Sequence, residues 1–130
     1  MMHIIKEYAL SLLVTAAVVY LSLFYQSPDG GPDIPNLDKA VHMCMYFGMS
    51  VMLWFDYLRA HREGACSMRH GLALASAFPL IFGGIMELLQ EYCTETRSGD
   101  WMDFAADGVG MLMATLFACL VMKRYLQKQA

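Results

Sequence analysis

Four apolar stretches, separated by three short polar ones, make up almost the whole chain. They run from about Tyr8 to Ser27, Leu37 to Leu58, His70 to Tyr92 and Met102 to Tyr125. Each approaches the ~20 residues that a helix needs to cross a hydrocarbon core. The first carries no charge between Tyr8 and Pro28. The links are Gln26–Asn36, rich in Pro, Gly and Asp, then Arg59–Arg69 and Cys93–Trp101. Pro79 falls near the middle of the third stretch and predicts a kink there. The start, Met1–Lys6 followed by an apolar run, has the outline of a signal peptide. No small-x-small cleavage site follows it, and three more apolar stretches do, so the reading is an uncleaved first helix.

Composition sharpens this picture. Of 130 residues, 58% are hydrophobic and 16% charged, with a mean hydropathy of +0.42. Average soluble chains hold roughly 45–50% apolar and about 25% charged residues, and a soluble globule of this size could not hide the excess. The expectation is an all-α polytopic membrane protein, one domain over residues 1–130, built as a four-helix transmembrane bundle. No basic run and no Cys/His finger points to nucleic acid. The four cysteines, Cys44, Cys66, Cys93 and Cys119, lack the spacing of a disulfide framework; only Cys93 falls in an external link, so no intrachain disulfide is expected, and the other three read as small apolar fillers.

The net charge of −3 matters less than where the basic residues sit. With both termini cytoplasmic, the inside holds Lys6, Arg59, Arg62, Arg69, Lys123, Arg124 and Lys128, and the outside only Lys39 and Arg97. Seven against two sets the orientation. Tyr8, Trp54, Tyr57 and Tyr125 would then mark the inner interface, and Tyr25, Tyr92 and Trp101 the outer one. Gly110, Ala114 and Ala118 on the fourth stretch, and Ala75, Pro79 and Gly83 on the third, are small residues at four-residue spacing. They predict close packing of these two helices, which would bring Glu87 and Asp107 together.

The polar residues within this apolar frame gather at the outer ends. Asp38, His42 and Tyr46 are spaced i, i+4, i+8; Glu87 and Gln90 i, i+3; Asp103 and Asp107 i, i+4. Helical geometry places each set on one face. Ionisable groups at membrane depth are costly and point to function by default. Asp38, Asp100 and Asp103 each also suit an N-cap. His42 lies a turn deeper, and Tyr46 is placed to pack or to support it by hydrogen bonding. Glu87 needs a cation or a proton beside it, and Arg97 is the basic group best placed to supply one. Arginine also suits bidentate contact with phosphate. Glu91 and Glu95 read as solvated.

No Ser-His-Asp pattern with a nucleophile elbow, no His-Glu-x-x-His, no Gly-rich phosphate loop and no paired lysine is present. One histidine with several carboxylates could hold a divalent cation beside a phosphorylated lipid. His42, Glu87 and Asp103 are the metal-ligand candidates.

Three blocks appear in order: Asp-Lys-x-x-His-x-x-x-Tyr, Glu-x-x-Gln, and Thr-Arg-Ser-Gly-Asp-x-x-Asp-x-x-x-Asp-Gly-x-Gly. Over roughly Asp38 to Gly110 the chain resembles the VanZ-like family of small bacterial membrane proteins. The resemblance implies a multi-pass protein of the bacterial cytoplasmic membrane, and the family's namesake is associated with teicoplanin resistance. Asp38, Lys39, His42, Tyr46, Glu87, Gln90, Arg97, Asp103 and Gly108 match the family's polar signature. At Asp107 the chain departs from it, because the family usually carries Asn there. The resemblance supplies no reaction.

The leading expectation is an envelope protein whose outward polar cluster binds an anionic headgroup, such as a lipid-linked cell-wall intermediate. Arg97 and Lys39 would meet phosphate, while His42, Glu87 and Asp103 would orient them or bind a bridging cation. The alternatives are an enzyme acting on a lipid phosphate, with His42 as general acid–base, and a structural bundle subunit without a ligand.

Overall fold

A computed structural model describes residues 1–24, 37–61, 67–95 and 99–122, with 124 and 128. Among the described residues every regular element is helical. They are α1 (Met2–Glu7), α2 (Ala9–Leu23), α3 (Leu37–Ala60), α4 (Met68–Leu72), a wide π-helical turn (Ala73–Ala77), α5 (Phe78–Cys93) and α6 (Trp101–Phe117), which a second π-helical turn extends through Met122. The boundaries follow the hydropathy pattern within a few residues. The first stretch differs: its helix breaks at Tyr8, where φ is −108° and ψ is 22°.

Two continuous helical stretches, Met68–Cys93 and Trp101–Met122, are long and apolar enough to cross a membrane. Only 28% of each such window is buried within the protein, far less than a core helix of a soluble protein would show. Ile81, Ile85 and Leu88 of α5, and Leu112, Leu116 and Leu120 on α6 and its extension, instead form exposed apolar stripes. Apolar surface that continuous marks a partner or a lipid face. Ala9–Leu23 is apolar but shorter.

The centre of the bundle is α3. Its buried residues include His42, Tyr46, Met49, Ser50, Leu53, Trp54 and Tyr57, a three-and-four spacing that gives one face to the interior. Its most extensive partner is α6. A Cβ on Gly110 would run into the carbonyl oxygen of Met43 and come within 3.0 Å of the Phe47 nitrogen. At Gly110 the fourth stretch thus packs its backbone against the second, its more extensive partner, while the expected approach to the third is seen at Gly83, whose would-be Cβ lies 3.0 Å from Asp107 Oδ2. Gly108 is the position that faces α5, with Leu80 at 3.6 Å from its would-be Cβ.

The kink expected at Pro79 takes the form of the wide turn over Ala73–Ala77, with Pro79 in the first turn of α5. Proline has no N–H to give the carbonyl four residues earlier, here that of Ala75. Ser50 of α3 donates its hydroxyl to that carbonyl, in a fully buried setting. The break is therefore satisfied from a neighbouring helix, as apolar surroundings require.

Two of the expected interface aromatics are interior groups. Trp54 and Tyr57 are 1% and 3% exposed. The Trp54 indole N–H donates to Thr115 at 3.3 Å, and the Tyr57 hydroxyl donates to the Ser67 carbonyl at 2.7 Å. Paired polar tips let both rings sink into the bundle. Tyr92 and Trp101 remain exposed. Tyr25 and Tyr125 lie outside the described residues.

Candidate functional site

At the Asp38 end of the bundle, α3, α5 and α6 bring a cluster of ionisable side chains into the interior. His42 and Tyr46 come from successive turns of α3, Glu87 from α5, and Asp103 and Asp107 from successive turns of α6. All five are at most 8% exposed. The close approach at Gly110, one turn beyond Asp107, draws α6 against the Met43–Phe47 stretch of α3 and so sets the spacing of the site.

The His42 ring stands between two carboxylates. Its Nδ1 is 2.9 Å from Asp107 Oδ1, and its Nε2 is 3.6 Å from Asp103 Oδ2. Glu87 Oε2 accepts the Asp100 backbone N–H at 2.7 Å. A second backbone donor, the Gly99 N–H, goes to Glu91 Oε2 at 2.8 Å. Glu91, expected to be simply solvated, thus helps tie the link to α5. Asp100 is the N-cap of α6, its Oδ1 accepting from Met102 N at 2.8 Å. Asp38 lies inside the first turn of α3 and is exposed, so it serves as a partner to Lys39 and not as the cap.

Lys39 is shared among three acids. Its Nζ lies 3.3 Å from Asp38, 3.4 Å from Asp100 and 3.6 Å from Asp103. Arg97, the expected partner of Glu87, lies outside the described residues, as do Thr96 and Ser98. Gln90 turns away from the cluster: its side-chain nitrogen donates to the Ser22 carbonyl at 2.8 Å and so holds the end of α2.

Two deeply buried oxygens have no hydrogen-bond partner among the described residues: Asp107 Oδ2 and the Tyr46 hydroxyl. Both residues are 1% exposed. They border Gly83 of α5, where a Cβ would stand 3.0 Å from Asp107 Oδ2 and 3.2 Å from Tyr46 Cε1. A cleft of about 250 Å³ opens beside the cluster, lined by Glu87, Glu91, Tyr92, Gly99, Asp100 and Trp101 among others. Glu87 belongs to both the cleft wall and the buried group, and joins the interior to the surface.

Charge bookkeeping decides what this place can accept. Asp38, Glu87, Asp100, Asp103 and Asp107 face Lys39 and His42 alone among the described residues. Ligand atoms of His42, Glu87 and Asp107 lie within 4.8 Å of one another, and so do those of Asp38, Asp100 and Asp103.

A fourth buried acid, at the opposite end of α3, carries no mark in the sequence pattern of the site. Asp56 is 0% exposed. Its Oδ2 accepts from Ser11 N at 3.0 Å and Ser11 Oγ at 2.7 Å, and its Oδ1 accepts from Arg59 at 3.1 Å. Arg59 also donates to the Glu7 carbonyl at 2.5 Å, at the break between α1 and α2. One signal was available: Asp56 is the only acid between Lys39 and Arg59, with Arg59 three residues on.

Comparisons with protein-family models, curated proteins and solved structures give no match to this chain.

Proposed function

We propose that the chain is a four-span protein of the bacterial cytoplasmic membrane, with both termini inside, and that its outward-facing polar cluster binds the phosphate-bearing headgroup of a lipid-linked envelope intermediate. The VanZ-like motif order and the asymmetry of basic residues support the placement. The pair of unpartnered oxygens, Asp107 Oδ2 and Tyr46 Oη, carries the functional reading. Leaving a buried polar atom unpaired costs about 1–3 kcal/mol. A bundle whose cluster served only to lock helices would gain by closing those valences, as the Asp56 group does. An open valence at the core of a site is what a ligand completes.

The cleft beside Glu87 provides the approach, and exposed Tyr92 and Trp101 at its rim suit the water–lipid boundary. Lys39, 3.4 Å from the cleft residue Asp100, supplies positive charge beside it. A second reading, an enzyme acting on a lipid phosphate at the outer leaflet, draws on one feature. An imidazole with a carboxylate 2.9 Å from one nitrogen and another 3.6 Å from the second can take up and pass on a proton, which suits general acid–base work.

Native mass spectrometry of protein released in mild detergent tests the headgroup reading. The wild type should carry a polyprenyl-phosphate-class lipid, and Gly83→Ala, which fills the space between Tyr46 and Asp107, should lose it while eluting as a folded species. An identical lipid complement in both would end this reading. Cys93 should label from outside intact cells and Cys66 only after permeabilisation, and the reverse pattern would overturn the topology.

A further inference from the structure

The two acid groups near His42 differ in one respect. Around Asp38, Asp100 and Asp103 the position a cation would take is already held by Lys39 Nζ, 3.3 to 3.6 Å from each carboxylate. The group made by His42, Glu87 and Asp107 has no lysine or arginine among the described residues. It is also the more buried, and Asp107 Oδ2 within it is unpartnered at 1% exposure. The His42 contacts add an independent constraint. If Nε2 carries the hydrogen, toward Asp103 Oδ2 at 3.6 Å, Nδ1 is a bare lone pair that faces a second acceptor, Asp107 Oδ1, at 2.9 Å. A positive species shared by Nδ1 and Asp107 reconciles them.

We propose that His42, Glu87 and Asp107 together hold one divalent transition-metal ion. One imidazole nitrogen with carboxylate oxygens is a mixed donor set that suits Mn²⁺, Fe²⁺ or Zn²⁺, whereas Mg²⁺ and Ca²⁺ favour oxygen alone. The ion would bind the free Asp107 oxygen, and its charge would offset the acids that outnumber the local cations. Two carboxylates and a neutral imidazole with a dication leave no net charge, against −2 without it. Ligand positions turned toward the cleft would remain for a phosphate oxygen. An acid-lined interior would thereby accept an anionic headgroup, which its own side chains would repel. The inference rests on reading the cluster as a ligand site, but not on which headgroup enters it.

The test uses the full chain in mild detergent, stripped with a chelator and titrated with Mn²⁺ alone, followed by electron paramagnetic resonance. One Mn²⁺ per chain should bind, Zn²⁺ should displace it, and the bound ion should show coupling to a single imidazole ¹⁴N. His42→Gln and Asp107→Asn should each weaken binding at least tenfold, while Glu91→Gln, at the cleft rim, should leave it unchanged. The nitrogen coupling is read on the wild type, so a variant that fails to fold does not remove the test. No saturable Mn²⁺ or Zn²⁺ binding, binding without nitrogen coupling, or equal loss in Glu91→Gln would overturn the proposal. The first of these results would leave a proton between Nδ1 and Asp107 as the positive species. A polyprenyl phosphate added in nanodiscs separates the two readings. If metal-loaded protein fails to bind it, the headgroup reading falls and the metal site stands. If metal-stripped protein binds it as well as loaded protein does, the ion's bridging role falls and the headgroup reading stands.

Discussion

Asp56 and Asp107 lie toward opposite ends of the bundle, both almost completely buried, and they are treated in opposite ways. Asp56 has both oxygens occupied, one by the backbone and hydroxyl of Ser11 and the other by Arg59. Asp107 has one oxygen against His42 and the other without a partner among the described residues. The first closes its valences locally and fastens α2 to α3. The second sits in a surplus of acid beside a glycine that leaves room. A buried carboxylate is therefore not in itself a sign of function; the unsatisfied remainder around it is.

The contrast breaks most visibly at Asp56. Asp56→Ala strips partners from the Ser11 N–H, the Ser11 hydroxyl and Arg59, and should cost on the order of 3 kcal/mol, read as a lower thermal midpoint by circular dichroism in detergent. A loss under about 1 kcal/mol, the net value of a single ordinary hydrogen bond, would deny that this group is a lock. Next in size is Gly110→Ala. Its methyl meets the Met43 carbonyl, so overpacking of about 1–3 kcal/mol should outweigh the gain of about 1 kcal/mol in helix propensity. The same change should push Asp107 from His42 and weaken metal binding, which an unrelated destabilisation would not do selectively.

Ser50→Ala comes third. It leaves the buried Ala75 carbonyl without the donor that Pro79 cannot supply, at about 1–2 kcal/mol, with faster hydrogen exchange around Ala73–Ala77. The smallest expected change in stability is at Asp107 itself. Asp107→Asn keeps an oxygen for His42 and removes an uncompensated charge, so the midpoint should hold or rise slightly, by less than about 1 kcal/mol, while ligand binding falls. A large drop in stability there would make Asp107 a second lock and erase the contrast.

Much of the site is legible in the residues alone. His42 and Tyr46, and Asp103 and Asp107, each sit one turn apart, so helicity alone put each pair on a face. The meeting of Glu87 with His42 and Asp107 followed from placing three helix ends at one level. Gln90 was misplaced because a period of 3.6 residues says which face a side chain is on but not which neighbour that face meets. Trp54 and Tyr57 were misassigned for the same reason: an aromatic near a helix end fits the lipid boundary or the interior equally well until its polar tip finds Thr115 or Ser67. Asp56 was overlooked because its partner, Ser11, is 45 residues away and carries no charge to advertise the pairing.

By itself the sequence determined the helical class, the approximate ends of the elements and the polar residues that apolar surroundings would make expensive. These depend on hydropathy and local geometry, which act over one or two turns. Tertiary structure alone decided that Gly110 packs on α3, that Ser50 repairs the carbonyl freed by Pro79, and which acids are satisfied. Those outcomes depend on distances between helices, set by the close fit of whole faces against one another, and no local period encodes them.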